Sequence, residues 1–192
     1  MKKGGIFNVP FRRKMEGRTH YKKRLKLLLS DKHRFVVRKS LNNVQVSVIE
    51  YGAQGDKILF TVDSKALLKL GWKGSSGNLP SAYLIGMIAG KKAVGKGIKE
   101  AILDIGFNDS VNGSRLYAAL VGAVDAGLAI PHDPKALPPK ERICGEHIAK
   151  YAQSLKGGGQ KNDFQFSNYA KKGLNPESIQ NHFNEIKGKI NG

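Results

Sequence analysis

The chain has 192 residues, with 33 Lys and Arg against 15 Asp and Glu, a formal net charge of +18. Its length and 40% hydrophobic content exclude a wholly disordered tail, and its lone Cys144 excludes a disulfide framework or a cysteine-cluster zinc site and fits a reducing, intracellular compartment. No apolar run reaches the ~20 residues of a membrane helix and no signal peptide opens the chain, so the expected partner at a pI near 10.0 is a polyanion, nucleic acid ahead of anionic lipid, and not a membrane.

The charge is concentrated at one end. Residues 1–43 hold 14 Lys and Arg against Glu16 and Asp31, a net +12 in under a quarter of the chain. A solubilising tail would show the charge alone. Here Phe7, Phe11, Tyr21 and Phe35 are interleaved with it, and aromatic rings stack on unpaired bases while Arg and Lys hold phosphates. Residues 1–17 have no period and contain Gly4, Gly5, Pro10 and Gly17, which predicts an extended arm. From a candidate N-cap at Thr19, Tyr21, Leu25, Leu28 and Leu29 fall on one helical face, expected to dock while Lys22, Lys23, Arg24 and Lys26 face RNA.

Arg34–Ser40 reads as a strand, Leu41-Asn42-Asn43 as a turn, and Val44–Tyr51 as a second strand with Val44, Val46 and Val48 on one face. Gly52–Asp56 turns into a third strand, Lys57–Val62. A short helix over Lys65–Leu70 leads to a glycine-rich loop, Gly71–Gly77. Asn78 caps a helix with Pro80 in its first turn, apolar nearly all round from Ala82 to Ala89 and therefore buried. Ala101–Ile105 is a buried-strand run, and a helix starting at Asn112 or Ser114 follows. The order β-β-β-α-β-α predicts an α/β fold. An antiparallel three-stranded meander extends to a mixed sheet with helices packed on it, the strand-helix-strand passage adding one parallel pairing.

Pro131, Pro134, Pro138 and Pro139 end this unit. Beyond them, Ile148, Tyr151, Ala152 and Leu155 mark one helix. Gly157–Gly159 marks a hinge, and Asn175-Pro176-Glu177 starts another helix with Ile179, Phe183 and Ile186 as its stripe. The expected organisation is a basic arm with a short helix over 1–32, an α/β domain over 33–133, and a helical C-terminal extension over 134–192.

Catalytic signatures do not appear. Gly86–Lys92 (GMIAGKK) has three residues between its glycines and Lys92 where a phosphate loop needs Ser or Thr, so its small residues serve close helix packing. The histidines at 20, 33, 132, 147 and 182 show no metal-binding spacing. Neither a cofactor nor a metal is expected. Asp104, the one acid in an apolar strand, is expected to be structural. It would accept backbone N–H groups from the next helix start or pair with Arg115, since a buried charge needs a partner.

Several ordered motifs carry a resemblance. They are Val9–Arg13 (VPFRR), Tyr21–Leu28 (YKKRLKLL), Arg38–Val44 (RKSLNNV), Leu70–Gly74 (LGWKG) with Gly77–Pro80 (GNLP), and Glu100–Gly106 (EAILDIG). From about residue 8 to about residue 155 the sequence resembles the 5S-rRNA-binding large-subunit ribosomal proteins, number eighteen in the large-subunit series, and within them the archaeal branch. The resemblance implies a cytoplasmic, non-enzymatic protein of the large subunit that joins 5S rRNA to the large-subunit rRNA in the central protuberance, beside neighbouring ribosomal proteins. It implies RNA contacts at Arg12, Arg13, Arg18, Tyr21, Lys22, Lys23, Arg24 and Lys26 of the arm. Further contacts fall at Arg38, Lys39, Ser40, Asn42 and Asn43 of the strand and turn, and at Lys73 and Asn78 of the glycine loop. The competing readings are an RNA-modifying or processing enzyme with a basic arm, and a DNA-compacting protein.

Overall fold

The computed structural model describes residues 8–155 and 165–192, so the glycine hinge at 157–159 and the arm before Asn8 lie outside the described residues. Four strands form one mixed sheet: β1 (His33–Lys39), β2 (Val44–Glu50), β3 (Lys57–Asp63) and β4 (Ala101–Asp104). The order is β3-β2-β1-β4; β1, β2 and β3 are antiparallel, and β4 pairs parallel to β1 with Asp104 opposite Val36.

The side-chain period of two sends Phe35, Val37, Val44, Val46, Val48, Phe60 and Val62 to one face, and all are buried. Two helices cover that face. In α4 (Leu79–Gly95), Asn78 caps the start by accepting the Ser81 N–H at 2.9 Å. In α5 (Arg115–Asp125), Ser114 stands at the N-cap. The two helices touch backbone to backbone. A Cβ on Gly86 would lie 1.9 Å from the Ala119 carbonyl oxygen, and one on Gly122 would lie 2.0 Å from that of Tyr83. Small residues are required there because any side chain would force the axes apart.

A short helix α3 (Ser64–Lys69) joins β3 to the glycine loop. After the proline-rich stretch come α6 (Lys140–Cys144), α7 (Glu146–Ser154), α8 (Ser167–Lys171) and α9 (Ile179–Asn191). The stripe Ile179, Phe183 and Ile186 enters the main core, with α9 against α4, α6 and α7.

Three sequence expectations fail, wholly or in part, in the arm. Residues 12–15 are not extended but form one helical turn, α1 (Arg12–Met15), in which Glu16 pairs with Arg12 one turn back at 3.2 Å. In α2 (Tyr21–Leu28) the N-cap is His20, whose Nδ1 accepts the Lys23 N–H, because the Thr19 hydroxyl already accepts from Arg13 Nε at 2.9 Å. The apolar stripe of α2 is also only partly docked. Tyr21, Leu27 and Leu28 are half-buried, whereas Leu25 is 62% and Leu29 78% exposed. The Arg24–Asp56 ion pair lies on the docked side of the helix, away from those two leucines.

Candidate nucleic-acid interface

The sheet face opposite the helices is unusual for its charge. Arg34 and Arg38 alternate with Val36 along β1, and the parallel register brings Asp104 of β4 onto the same face. Arg34 is 4% and Asp104 7% exposed. Arg34 donates to Asp104 Oδ2 at 3.1 Å and to Asp56. Arg38 reaches Asp104 Oδ1 at 3.2 Å and the Asp104 carbonyl at 2.8 Å, and the Gly106 N–H donates to Oδ1 at 2.8 Å. Asp104 is therefore structural, but its charge partners are Arg34 and Arg38. Arg115, the partner expected from sequence, turns elsewhere.

The arm closes over this face. Arg24 of α2 grips Asp56 with both terminal nitrogens, at 2.6 and 2.8 Å. Partial burial pushes the Asp56 carboxyl up, but the hydrogen bonds from Arg24 and Arg34 outweigh it and hold it below the ordinary carboxylate value. The same bond raises the Arg24 guanidinium. Between arm and sheet lies a cleft of about 160 Å³ lined by Arg13, Arg18, Lys23, Arg24, Arg34 and Arg38 against the two acids Asp56 and Asp104. Six cations facing two carboxylates leave a positive cleft, which attracts a polyanion.

The remaining predicted residues lie in three places: the arm, the β1–β2 turn and the glycine loop. Arg12, Lys22, Lys23 and Lys26 are exposed on the arm, Arg18 pairs with Glu16 at 3.1 Å, and Tyr21 packs on Phe11 at 5.1 Å between ring centroids. Phe11 is itself exposed, so that pair presents an aromatic surface. The β1–β2 turn exposes Lys39, Ser40, Asn42 and Asn43; Ser40 Oγ braces it by accepting the Asn43 N–H at 3.0 Å. In the glycine loop Lys73 is exposed, while Asn78 is spent on its helix cap and on Tyr169.

Turn and loop are joined. Arg115 donates through one nitrogen to the carbonyls of Ser40, Leu41 and Gly77, at 3.3, 3.2 and 2.6 Å. A Cβ on Gly77 would meet the Leu41 carbonyl oxygen at 2.8 Å. Sequence reasoning missed Arg34 and Asp56, and named Arg115 only as a partner for Asp104. For Arg34 a signal was present: two arginines at strand period beside an acid in another apolar strand.

A mixed sheet fronted by a cation-rich cleft, on a chain of net charge +18, defines a polyanion-binding protein. Residues 6–99 and 95–133 match the family of ribosomal large subunit proteins 60S L5 and 50S L18. The chain is also 49% identical over 184 residues to the large ribosomal subunit protein uL18 of Methanococcus maripaludis, covering 96% of this chain and 95% of that relative. The chain belongs to this family and to its archaeal branch. It is a structural protein of the large ribosomal subunit in the cytoplasm, not an enzyme, and its partners are ribosomal RNA and other ribosomal proteins.

Proposed function

We propose that the chain binds 5S rRNA and helps attach it to the large-subunit rRNA in the central protuberance. Residues 1–32 act as the RNA-binding arm, residues 33–133 present the sheet and turn, and residues 134–192 support the fold. The phosphate contacts fall to Arg12, Arg13, Arg18, Lys22, Lys23, Arg24 and Lys26, with Tyr21 beside Phe11 offering a stacking surface. Arg38, Lys39, Ser40, Asn42 and Asn43 extend the contact along the turn, and Lys73 continues it into the glycine loop, whose far end Asn78 holds as a helix cap.

The cleft between arm and sheet carries the reading. Asp56 and Asp104 hold Arg24, Arg34 and Arg38 in place, and Arg13, Arg18 and Lys23 add a cationic surplus that those two carboxylates do not neutralise. An RNA backbone entering there meets cations whose ordering cost has been met in advance. The test is competition: labelled 5S rRNA bound to the protein is challenged with unlabelled 5S rRNA or with tRNA in a gel-shift assay. The expected result is displacement by 5S rRNA at much lower concentration; equal displacement by tRNA refutes the specificity.

A further inference from the structure

We propose that His182 is a positioning residue for RNA binding, which fixes the glycine loop so that Lys73 meets a phosphate although His182 touches no RNA itself. The proposal rests on the reading above that Lys73 contacts 5S rRNA.

Residues 71–77 include three glycines, so the free loop would sample many conformations. The C-terminal extension removes that freedom. His182 of α9 accepts the Lys73 backbone N–H on Nε2 at 3.0 Å, and its ring lies nearly flat on Trp72, with centroids 5.1 Å apart and planes 15° apart. Because Nε2 accepts, the ring hydrogen resides on Nδ1, which faces Glu185 Oε2 at 3.4 Å. The Tyr169 hydroxyl of α8 accepts the Ser75 N–H at 3.4 Å. At the far end Gly77 is fastened beneath the β1–β2 turn through Arg115.

Held in this way, the loop aims the Lys73 side chain at solvent, and no carboxylate among the described residues neutralises it. Two helices of the extension thus hold the backbone of the exposed cation itself and of Ser75 two residues on. That is a positioning arrangement, since every bond from the extension to residues 73–75 goes to backbone.

Salt dependence separates positioning from mere stability. The full-length protein is titrated with 5S rRNA at several salt concentrations, and the slope of log affinity against log salt is read. Lys73→Ala should reduce the slope by roughly 0.7–0.9, the counterions of one phosphate. His182→Phe keeps a ring against Trp72, cannot accept the N–H and removes no fixed charge. It should reduce the slope by the same amount, and the double variant should fall no further than Lys73→Ala alone. His182→Gln, which can accept the N–H, should restore the wild-type slope.

A wild-type slope for His182→Phe beside a reduced one for Lys73→Ala overturns the proposal and leaves the 5S rRNA reading standing. Two separate decrements in the double variant also overturn it. An unchanged slope for Lys73→Ala removes Lys73 from the interface and the proposal with it. Failure of the wild type to prefer 5S rRNA over tRNA is the distinct failure of the function itself. If His182→Phe melts early, Lys73 amide exchange in the wild type decides: protection supports the clamp, and exchange at the rate of an open loop refutes it.

Discussion

Replacing Asp104 with Ala is expected to unlock the sheet face beneath the arm. The carboxylate is nearly buried and serves three donors: Arg34 at 3.1 Å, Arg38 at 3.2 Å and the Gly106 N–H at 2.8 Å. Arg38 is half-exposed and can turn to water, but Arg34 cannot. Removing one side of a buried pair costs about 3–5 kcal/mol. Asp56 still holds the second Arg34 nitrogen, so the low end, about 3 kcal/mol, applies. At roughly 2–4 °C per kcal/mol for a chain of this size, the midpoint of a circular-dichroism melt should fall by about 6–12 °C. Asp104→Asn retains an acceptor for Gly106 without the charge and should lie between. A midpoint within about 1 °C of wild type would refute the assignment of Asp104 as the anchor of this face.

Gly86→Ala should destabilise by about 3 kcal/mol or more, because its Cβ would run into the Ala119 carbonyl, whereas Gly95→Ala, with open space around it, should be neutral or slightly stabilising; thermal melts of both check the contrast. The depressed Asp56 carboxyl stabilises the fold at pH values above its unfolded value, and that contribution is lost as pH falls through the folded value. Urea unfolding should therefore show the full advantage of wild type over Asp56→Asn at pH 6, shrinking as pH falls below about 3.9. The triple variant Lys22→Ala, Lys23→Ala and Lys26→Ala should flatten the salt slope for 5S rRNA by about 2–3 and weaken unrelated RNA by a similar factor, since phosphates carry no base identity.

Local patterns made much of the fold legible. Alternating valines gave β2, the asparagine and proline before an apolar run gave α4, and the strand-helix-strand passage gave the parallel pairing. Distance along the chain hid the rest. Asp104 finds Arg34 70 residues away, and His182 finds Lys73 109 residues away, through register and helix packing that no local period encodes. In α2 the stripe was visible, but what it faced was not. The helix is tied to Asp56, 32 residues on, while Leu25 and Leu29 remain in water. The candidate contacts were legible as charge; the carboxylates that already engage Arg24 and Arg38 were not.

Arg115 takes hold of three carbonyl oxygens, an atom type that every residue supplies. The bond is therefore indifferent to the side chains on the turn that it braces. Leu41, 91% exposed beside one of those carbonyls, can be exchanged without disturbing the frame. Shape and chemical content are thus adjustable by separate substitutions on this surface. Variation at Leu41 or Asn42 would alter what is displayed and leave its geometry intact. Loss of the guanidinium at Arg115 would release the turn and the glycine loop together, whatever residues they carried.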